Sequence, residues 1–222
     1  DALLRIPKEM DSVTAAGFTM TYGTSMYGLK QRGCLKSGEK LLVLGAGGGV
    51  GITAVEIGKI MGAEVIAAAS SENKLAAAKR AGADHLINYS EGNIREKIKN
   101  IVGSSGIDVL YDPVGGELFE PCLRSLGWGG RALVIGFASG TIPKLPTNLT
   151  LVKGCSVVGV FWGAFRIKET EEDNKNFEIL FKWFKEKKVS PLVSQKFSLE
   201  NAKEALLTLA TRKAIGKVII TP

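Results

Sequence analysis

The amino-acid sequence predicts an α/β protein built on a doubly wound parallel sheet. Short apolar runs alternate with segments of helical spacing from residue 41 to residue 136, a pattern typical of parallel strands joined by crossover helices. The runs are apolar at almost every position, as strands are when helices cover both faces of a sheet. Glycines also stand where helices should end. These three observations indicate one doubly wound domain in the middle of the chain.

The strands and helices of this domain follow in regular order. Strands are predicted at residues 41–44, 64–68, 85–88, 108–111 and 131–135. Apolar residues three and four apart predict helices at about 50–61, 72–81, 93–101 and 116–125. Gly62, Gly82 and Gly103 stand where C-terminal helix caps are needed.

The segments on either side of this domain are less regular. Residues 11–33 are predicted to be helical with an interruption near Gly17. Residues 141–150 are predicted to form a proline-containing loop. Five further elements are predicted after this loop. They are a sixth strand at 156–161, an amphipathic helix at about 174–187, a short strand at 196–198, a helix at 201–209 opened by Ser198, and a last strand at 217–221. We therefore divide the chain into an N-terminal segment (1–30), a nucleotide-binding domain (31–165) and a C-terminal segment (166–222).

Composition narrows the class of protein. The net charge is +7, but the 29 Lys and Arg residues form no dense basic run, so we interpret them as a solvated surface and do not favour nucleic-acid binding. Cys34, Cys122 and Cys155 are far apart, which predicts a reducing compartment, the cytoplasm or mitochondrial matrix, without disulfides or zinc. No apolar stretch approaches the ~20 residues of a membrane span. His85, the one histidine, lies in an apolar run and is interpreted as structural.

The N-terminus suggests a longer natural protein. The chain begins at Asp1 rather than Met, and its first residues resemble neither a signal peptide nor a transit peptide. We expect the natural chain to continue upstream.

A glycine-rich turn follows the first strand and opens the next helix, in the segment 41–55. This is the context of the Rossmann dinucleotide-binding fingerprint. Aligned to G-x-G-x-x-G, its positions are Ala46, Gly48 and Gly51, so alanine replaces the first glycine. Gly48 would let the backbone approach a pyrophosphate, Gly51 would let the helix pack closely, and the helix start near Val50 would offer free N–H groups. A tight turn without a ligand is the alternative.

The end of the second strand indicates which dinucleotide binds. NAD enzymes place an acid there for the ribose 2′-hydroxyl, whereas this strand ends at Ser70 with Lys74 beyond. A hydroxyl and an ammonium suit the 2′-phosphate of NADPH. If the strand ends later, Glu72 is the acid that binds the ribose 2′-hydroxyl. In a plainer alternative, Ser71 only caps the next helix and Lys74 is solvated.

Five ordered blocks of sequence together carry a family resemblance. They are residues 15–24, 44–51, 67–71, 112–116 and 135–140. Read together, they resemble the zinc-independent quinone oxidoreductase (zeta-crystallin-like) branch of the medium-chain dehydrogenase/reductases, over the whole chain. The resemblance implies a two-domain NADPH-dependent reductase of which this chain is the cofactor domain, flanked by elements of an incomplete GroES-like catalytic domain.

The resemblance also implies a set of cofactor contacts. Thr24 would lie near the phosphates; Gly48, Gly49 and Val50 at the pyrophosphate; Ser70, Lys74, Tyr89 and Arg212 at the 2′-phosphate; Pro113 and Val114 by the ribose; Phe137 and Ala138 by the nicotinamide, with Phe161 and Trp162 near the same pocket. As alternatives, Tyr89 and Phe137 only cover strand ends, and Arg212 is an exposed helix-terminal charge.

Two further expectations concern chemistry and assembly. Zinc-dependent relatives have a cysteine ligand where this chain has Ala16, together with a four-cysteine lobe, and neither is present. The expected activity is hydride transfer from NADPH to a quinone or α,β-unsaturated carbonyl without metal, and no catalytic residue is assigned. The alternative is a non-catalytic NADPH-binding module for redox sensing or nucleic acid. The apolar strand at 156–161 predicts a homodimer joined edge to edge.

Overall fold

A computed structural model describes residues 3–222; Asp1 and Ala2, the start of the N-terminal segment, lie outside the described residues. The chain begins with helix α1 (Ser12–Met26) and a π-helix (Tyr27–Arg32). The central part follows as β1 (Lys40–Leu44), α2 (Gly49–Ile60), β2 (Glu64–Ala69), α3 (Glu72–Arg80), β3 (His85–Asn88), α4 (Ile94–Val102), β4 (Ile107–Asp112), a 3₁₀ turn (Gly116–Leu118), α5 (Phe119–Leu123) and β5 (Leu126–Val134). The remainder comprises α6 (Thr147–Lys153), β6 (Ser156–Gly159), α7 (Trp162–Lys168), α8 (Thr170–Lys185), β7 (Val193–Ser198), a 3₁₀ turn (Leu199–Asn201), α9 (Ala202–Ala210) and β8 (Lys217–Thr221).

Strands β1 to β6 form one parallel sheet in the order β3-β2-β1-β4-β5-β6. This is the strand order of the Rossmann fold, in which the order reverses beside β1. Successive side chains of β1 point to opposite faces: Leu41 and Val43 enter one core cluster, whereas Leu42 and Leu44 enter the other. The predicted doubly wound α/β fold is confirmed, because both faces of the sheet are buried under helices.

A separate two-stranded sheet, β7-β8, lies against the glycine turn. Gly216, just before β8, donates its N–H to the Gly47 carbonyl at 2.8 Å, and Gly48 forms an isolated bridge with Gly216. The C-terminal segment therefore contacts the mouth of the central sheet.

Several boundaries differ from those expected. The helix near the N-terminus is not interrupted at Gly17: α1 runs through this buried residue, since packing outweighs the ~1 kcal/mol cost of a glycine in a helix. The irregularity comes later, in the π-helix. The loop expected at 141–150 is helical from Thr147, because Pro146 precedes α6 and Leu149 is buried. Strand β5 begins five residues early, at Leu126, and β6 ends at Gly159 rather than at residue 161.

The predicted caps have the expected geometry. Gly62, Gly82 and Gly103 all have positive φ, between 65° and 106°. His85 is at the start of β3, where Nε2 lies 2.8 Å from a carboxylate oxygen of Glu64. That contact agrees with a structural role for the histidine.

Candidate functional site

A cavity of about 710 Å³ opens where β1, β2, β4 and β5 end. Ligands of open α/β sheets bind at these carboxyl ends, beside the point where the strand order reverses. The walls come from the glycine turn, the residues after β2, β3 and β4, the loop after β5, and the segment that connects α9 to β8.

Close approach of the backbone explains the glycines of the turn. Gly45 has φ +59°, so it supplies the left-handed conformation that the fingerprint's first glycine usually provides, while Ala46 is fully buried. A Cβ at Gly51 would lie 2.2 Å from the Gly45 carbonyl oxygen, and one at Gly47 would lie 2.4 Å from Cβ of Lys74. Only glycine fits at both positions.

The turn presents the start of α2 to the cavity. Gly48 is the N-cap residue and has no side chain that could accept from the first-turn N–H groups. These N–H groups lack acceptors within the helix and carry partial positive charge, a combination that binds anions such as phosphates. Gly48, Gly49 and Val50 all line the cavity, so the structure has a cradle that fits a pyrophosphate.

Lys217 adds a cation to this end of α2. Its side chain lies against the turn, since a Cβ at Gly49 would approach Cδ of Lys217 to 2.9 Å. Burial lowers the pKa of Lys217. No sequence pattern indicates this residue, because it reaches the turn only through the pairing of Gly216 with Gly48.

A cluster of polar side chains lines another wall of the cavity. Lys74 Nζ donates to Ser70 Oγ at 3.3 Å and to the Arg212 carbonyl at 2.8 Å. Burial, and then the charge of Arg212, lower the pKa of Lys74. Burial raises the pKa of Tyr89, whereas the hydrogen bond with Ser70 and the charge of Arg212 act to lower it. The four predicted 2′-phosphate residues therefore lie together, although they come from widely separated segments.

Glu72 does not supply an acid to this cluster. Its carboxylate accepts from Nδ2 of Asn88 at 3.0 Å, and it is not among the cavity-lining residues. Ser71 is the N-cap residue of α3, but its side chain makes no capping hydrogen bond. Among the lining residues of the described chain, Glu117 is the one carboxylate, whereas Lys74 and Arg212 are cations. The cavity is therefore suited to an anion.

Asp112 shapes the loop after β4. Its Oδ1 accepts the N–H groups of Val114 at 2.7 Å and Gly115 at 2.8 Å, and burial raises the pKa of this carboxyl group. Pro113 and Val114 are thereby held against the cavity, where a Cβ at Gly45 would lie 2.9 Å from Val114.

Ten of the sixteen residues expected at the site line this cavity: Gly48, Gly49, Val50, Ser70, Lys74, Tyr89, Pro113, Val114, Ala138 and Arg212. Ala46 and Gly51 are buried beneath the turn. Thr24 does not line the cavity; its neighbour Ser25 donates to the Val50 carbonyl, which places this part of α1 against α2.

Phe137 and Phe161 line a different cavity, of about 530 Å³, at the ends of β5 and β6. Trp162 lines neither of these two cavities. Its Nε1 donates to Asp173 at 2.8 Å, and its ring covers Gly23 of α1. Trp162 therefore joins α7 and α8 to α1.

Sequence reasoning missed several lining residues. Thr141, Leu209 and Ala214 lie in loops and at a helix end, and no motif marks them. Ser139 stands in the resemblance block at 135–140, although no contact is assigned to it there. Gly115 and Gly116 were present in the resemblance block at 112–116, and both have positive φ.

Two kinds of feature are absent from the described residues: a metal-binding cluster and a membrane-spanning helix. Within residues 3–222, no three His, Cys, Asp or Glu side chains are grouped so that they could hold a metal ion. Over the same residues, no helix combines the length and apolarity that crossing a bilayer requires.

Comparison with known proteins identifies relatives of the whole chain. Residues 49–181 match the family model described as zinc-binding dehydrogenase. Quinone oxidoreductase-like protein 2 of Bos taurus is 36% identical over 220 residues, covering 99% of this chain and 63% of that protein. The 2-haloacrylate reductase of a Burkholderia species is 29% identical, covering all of this chain and 68% of the relative.

A solved structure agrees with this relationship. The quinone oxidoreductase of Escherichia coli, crystallised with NADPH, superimposes with a TM-score of 0.90 at 27% identity, over 99% of this chain and 68% of that one. This chain spans 60 to 63% of the length of several quinone oxidoreductase-like relatives that it matches.

The fold and the cavity define a Rossmann domain of the kind that binds dinucleotides. The chain belongs to the zinc-binding dehydrogenase family, and within it to the quinone oxidoreductase branch of the medium-chain dehydrogenase/reductases. It corresponds to the cofactor-domain portion of these proteins. The resemblance inferred from the five sequence blocks is thus confirmed.

Proposed function

We propose that this chain binds NADPH and is the cofactor half of a metal-independent reductase of quinones or α,β-unsaturated carbonyls. The observation that carries the proposal is the cluster of Ser70, Lys74, Tyr89 and Arg212 on the wall of the cavity. The NADPH complex of the Escherichia coli relative and the reductase activity in the name of the Burkholderia relative support it.

The preference for NADPH follows from charge. The 2′-phosphate carries roughly two negative charges at neutral pH, and charge-assisted hydrogen bonds contribute about 1.5–3 kcal/mol each. Lys74 and Arg212 are cations, and the one acid nearby in the strand-end segment, Glu72, is bound to Asn88 instead. A 2′-hydroxyl would leave both cations without an anionic partner.

The chain's own residues would bind and orient the cofactor. The first turn of α2 would hold the pyrophosphate, and the loop fixed by Asp112 would position Pro113 and Val114 beside a ribose. Bound NADPH would supply a hydride. The protein's task in such a transfer is mainly to align the donor with an electron-poor acceptor and to stabilise the developing negative charge.

The division of the chain at residues 30 and 165 belongs to the same proposal. Helix α1 packs on α2, and the β7-β8 sheet pairs with the glycine turn through Gly216. We interpret residues 1–30 as the segment that joins an upstream catalytic domain to the cofactor domain, and residues 166–222 as elements that pack back towards that catalytic domain.

Calorimetric titration of Lys74→Ala and Ser70→Asp with NADPH and NADH tests the proposal. Lys74→Ala should weaken NADPH binding about tenfold and leave NADH nearly unchanged, since one partly shielded charge-assisted bond is worth about 1.4 kcal/mol. Ser70→Asp should repel the phosphate and offer the ribose an acceptor, so that the preference narrows or reverses.

Arg80→Ala is the matched control. Arg80 is an exposed cation in the last turn of the same helix, α3, and it does not line the cavity. It should leave both affinities unchanged. Equal losses for NADPH and NADH in Lys74→Ala would show that Lys74 does not contact the 2′-phosphate.

A further inference from the structure

The second cavity, of about 530 Å³, has aromatic walls. The rings of Tyr27 and Phe165 are stacked with centroids 4.0 Å apart and planes 14° apart. Phe137 and Phe161 line the same space and are 40% and 75% exposed. Flat aromatic surfaces of this kind suit a planar, conjugated ligand.

The π-helix forms one side of this cavity. Its i→i+5 pattern is visible at its end, where the Gly33 N–H donates to the Gly28 carbonyl at 2.7 Å. Tyr27 and Arg32, its first and last residues, are five positions apart and both line the cavity. In an α-helix, residues with that separation would point about 140° apart. π-helical turns are rare and often occur at functional sites.

The rim of the cavity carries an excess of positive charge. Arg32 and Lys168 are exposed cations that line it, and Glu169 is the one carboxylate among the lining residues described. Arg32 Nε donates to the Gly159 carbonyl at 3.0 Å, which holds the guanidinium at the end of β6. Within residues 3–222, the two terminal nitrogens of Arg32 make no hydrogen bond, so their paired donors remain available to a carboxylate.

The aromatic cavity adjoins the cofactor cavity through Phe137. A Cβ at Gly115, in the cofactor cavity, would lie 3.0 Å from the Phe137 ring. The two halves of a Rossmann sheet each receive one nucleotide, and β5 and β6 belong to the half that lies opposite β2 and β3. A ligand in the aromatic cavity would therefore lie beside the end of the dinucleotide remote from the Lys74 cluster.

We propose that the aromatic cavity is the substrate pocket and that Arg32, assisted by Lys168, selects conjugated carbonyl substrates that carry a carboxylate or similar anionic group. This inference deepens the proposed function and rests on it. Tyr27, Phe137, Phe161 and Phe165 hold the conjugated part, and Arg32 binds the anion at the rim.

The test compares two probes that differ in charge and by one methyl group: 4-oxo-4-phenylbutanoate and its methyl ester. Neither has an electron-poor alkene, so that neither alkylates the exposed thiol of Cys34. Binding is measured by calorimetry on the chain, without cofactor and with NADP⁺. The carboxylate should bind about tenfold more tightly than the ester, as one exposed charge-assisted contact allows, and added salt should reduce the difference.

Variants assign the preference to residues. Arg32→Ala should abolish the difference between the probes and leave the ester's affinity unchanged, and Arg32→Lys should restore part of it. Lys168→Ala, on a separate helix, should lower the carboxylate's affinity alone, which keeps the test valid if Arg32→Ala disturbs the π-helix. Arg124→Ala, which removes an exposed cation paired with Glu120 outside this cavity, is the control.

Equal affinity for the two probes, or binding of neither, overturns the inference, as does a carboxylate preference that survives both Arg32→Ala and Lys168→Ala. Titration of the same samples with NADPH separates the two proposals. Normal NADPH binding together with equal probe affinities refutes the anion pocket alone, whereas absent NADPH binding refutes the proposed function.

Discussion

Replacing Glu56 by glutamine should make the protein more stable at alkaline pH. The Glu56 carboxyl group is largely buried between α1, α2 and the segment before β7, where Tyr22 Oη donates to Oε2 at 2.5 Å and the Ser190 N–H donates to Oε1 at 3.3 Å. Burial raises the pKa of Glu56 from 4.5 to about 7, and the bonds from Tyr22 and Ser190 only partly oppose this.

The raised pKa fixes the sign of the pH dependence. The folded protein binds this proton more tightly than the unfolded chain, so the stabilisation is complete below pH 4.5 and is lost as the pH rises through 7. The difference between the two pKa values, 4.5 and about 7, corresponds to roughly 3 to 4 kcal/mol, at about 1.4 kcal/mol for a tenfold change in proton affinity. Glutamine keeps an acceptor for the Ser190 N–H and can donate to Tyr22, but it never ionises.

Urea unfolding followed by circular dichroism at pH 5, 6, 7 and 8 measures this effect. The stability advantage of Glu56→Gln over the wild type should be smallest near pH 5, and by pH 8 it should have grown to roughly 3 to 4 kcal/mol in the free energy of unfolding. Glu178→Gln, which changes an exposed carboxylate on α8, should show no such trend. A stability difference between Glu56→Gln and the wild type that does not change with pH would show that ionisation of Glu56 does not destabilise the folded protein.

Three other outcomes are expected. Gly51→Ala should destabilise the fold by several kcal/mol in urea titrations, because its Cβ would lie 2.2 Å from the Gly45 carbonyl oxygen; a loss below 1 kcal/mol would contradict this tight packing. Sedimentation should show a homodimer that Val158→Pro disrupts, since β6 is the edge strand of the sheet; an unchanged dimer in that variant would exclude pairing through β6. The chain alone should bind NADPH yet oxidise it slowly with a simple quinone, and turnover as fast as that of a full-length relative would contradict the proposal that catalysis needs an upstream domain.

The central sheet and the glycine turn could be predicted because their signals are local. The strands from β1 to β4 are nearly continuous apolar runs, and Gly45 to Gly51 stand between a strand and a helix. The same holds for Ser70 and Lys74, which follow β2 directly. Here spacing along the chain determines position in space.

The rest of the site depends on contacts between distant segments. Lys217 reaches α2 only because Gly216 pairs with Gly48, and Arg212 was placed by family resemblance alone. Phe161 and Trp162 are adjacent in sequence, but the strand ends just before them and α7 begins at Trp162, so their side chains diverge. Periodicity cannot reveal the π-helix either, because its residue types are compatible with an ordinary helix.

Calorimetric titration of the unmodified chain with NADPH and with NADH in the same buffer tests whether the cavity prefers the phosphorylated dinucleotide. We expect NADPH to bind at least tenfold more tightly, as one charge-assisted contact from Lys74 or Arg212 to the 2′-phosphate requires. The advantage should shrink as salt is added. Equal affinities, or tighter binding of NADH, would contradict the assignment of the Ser70, Lys74, Tyr89 and Arg212 cluster to the 2′-phosphate.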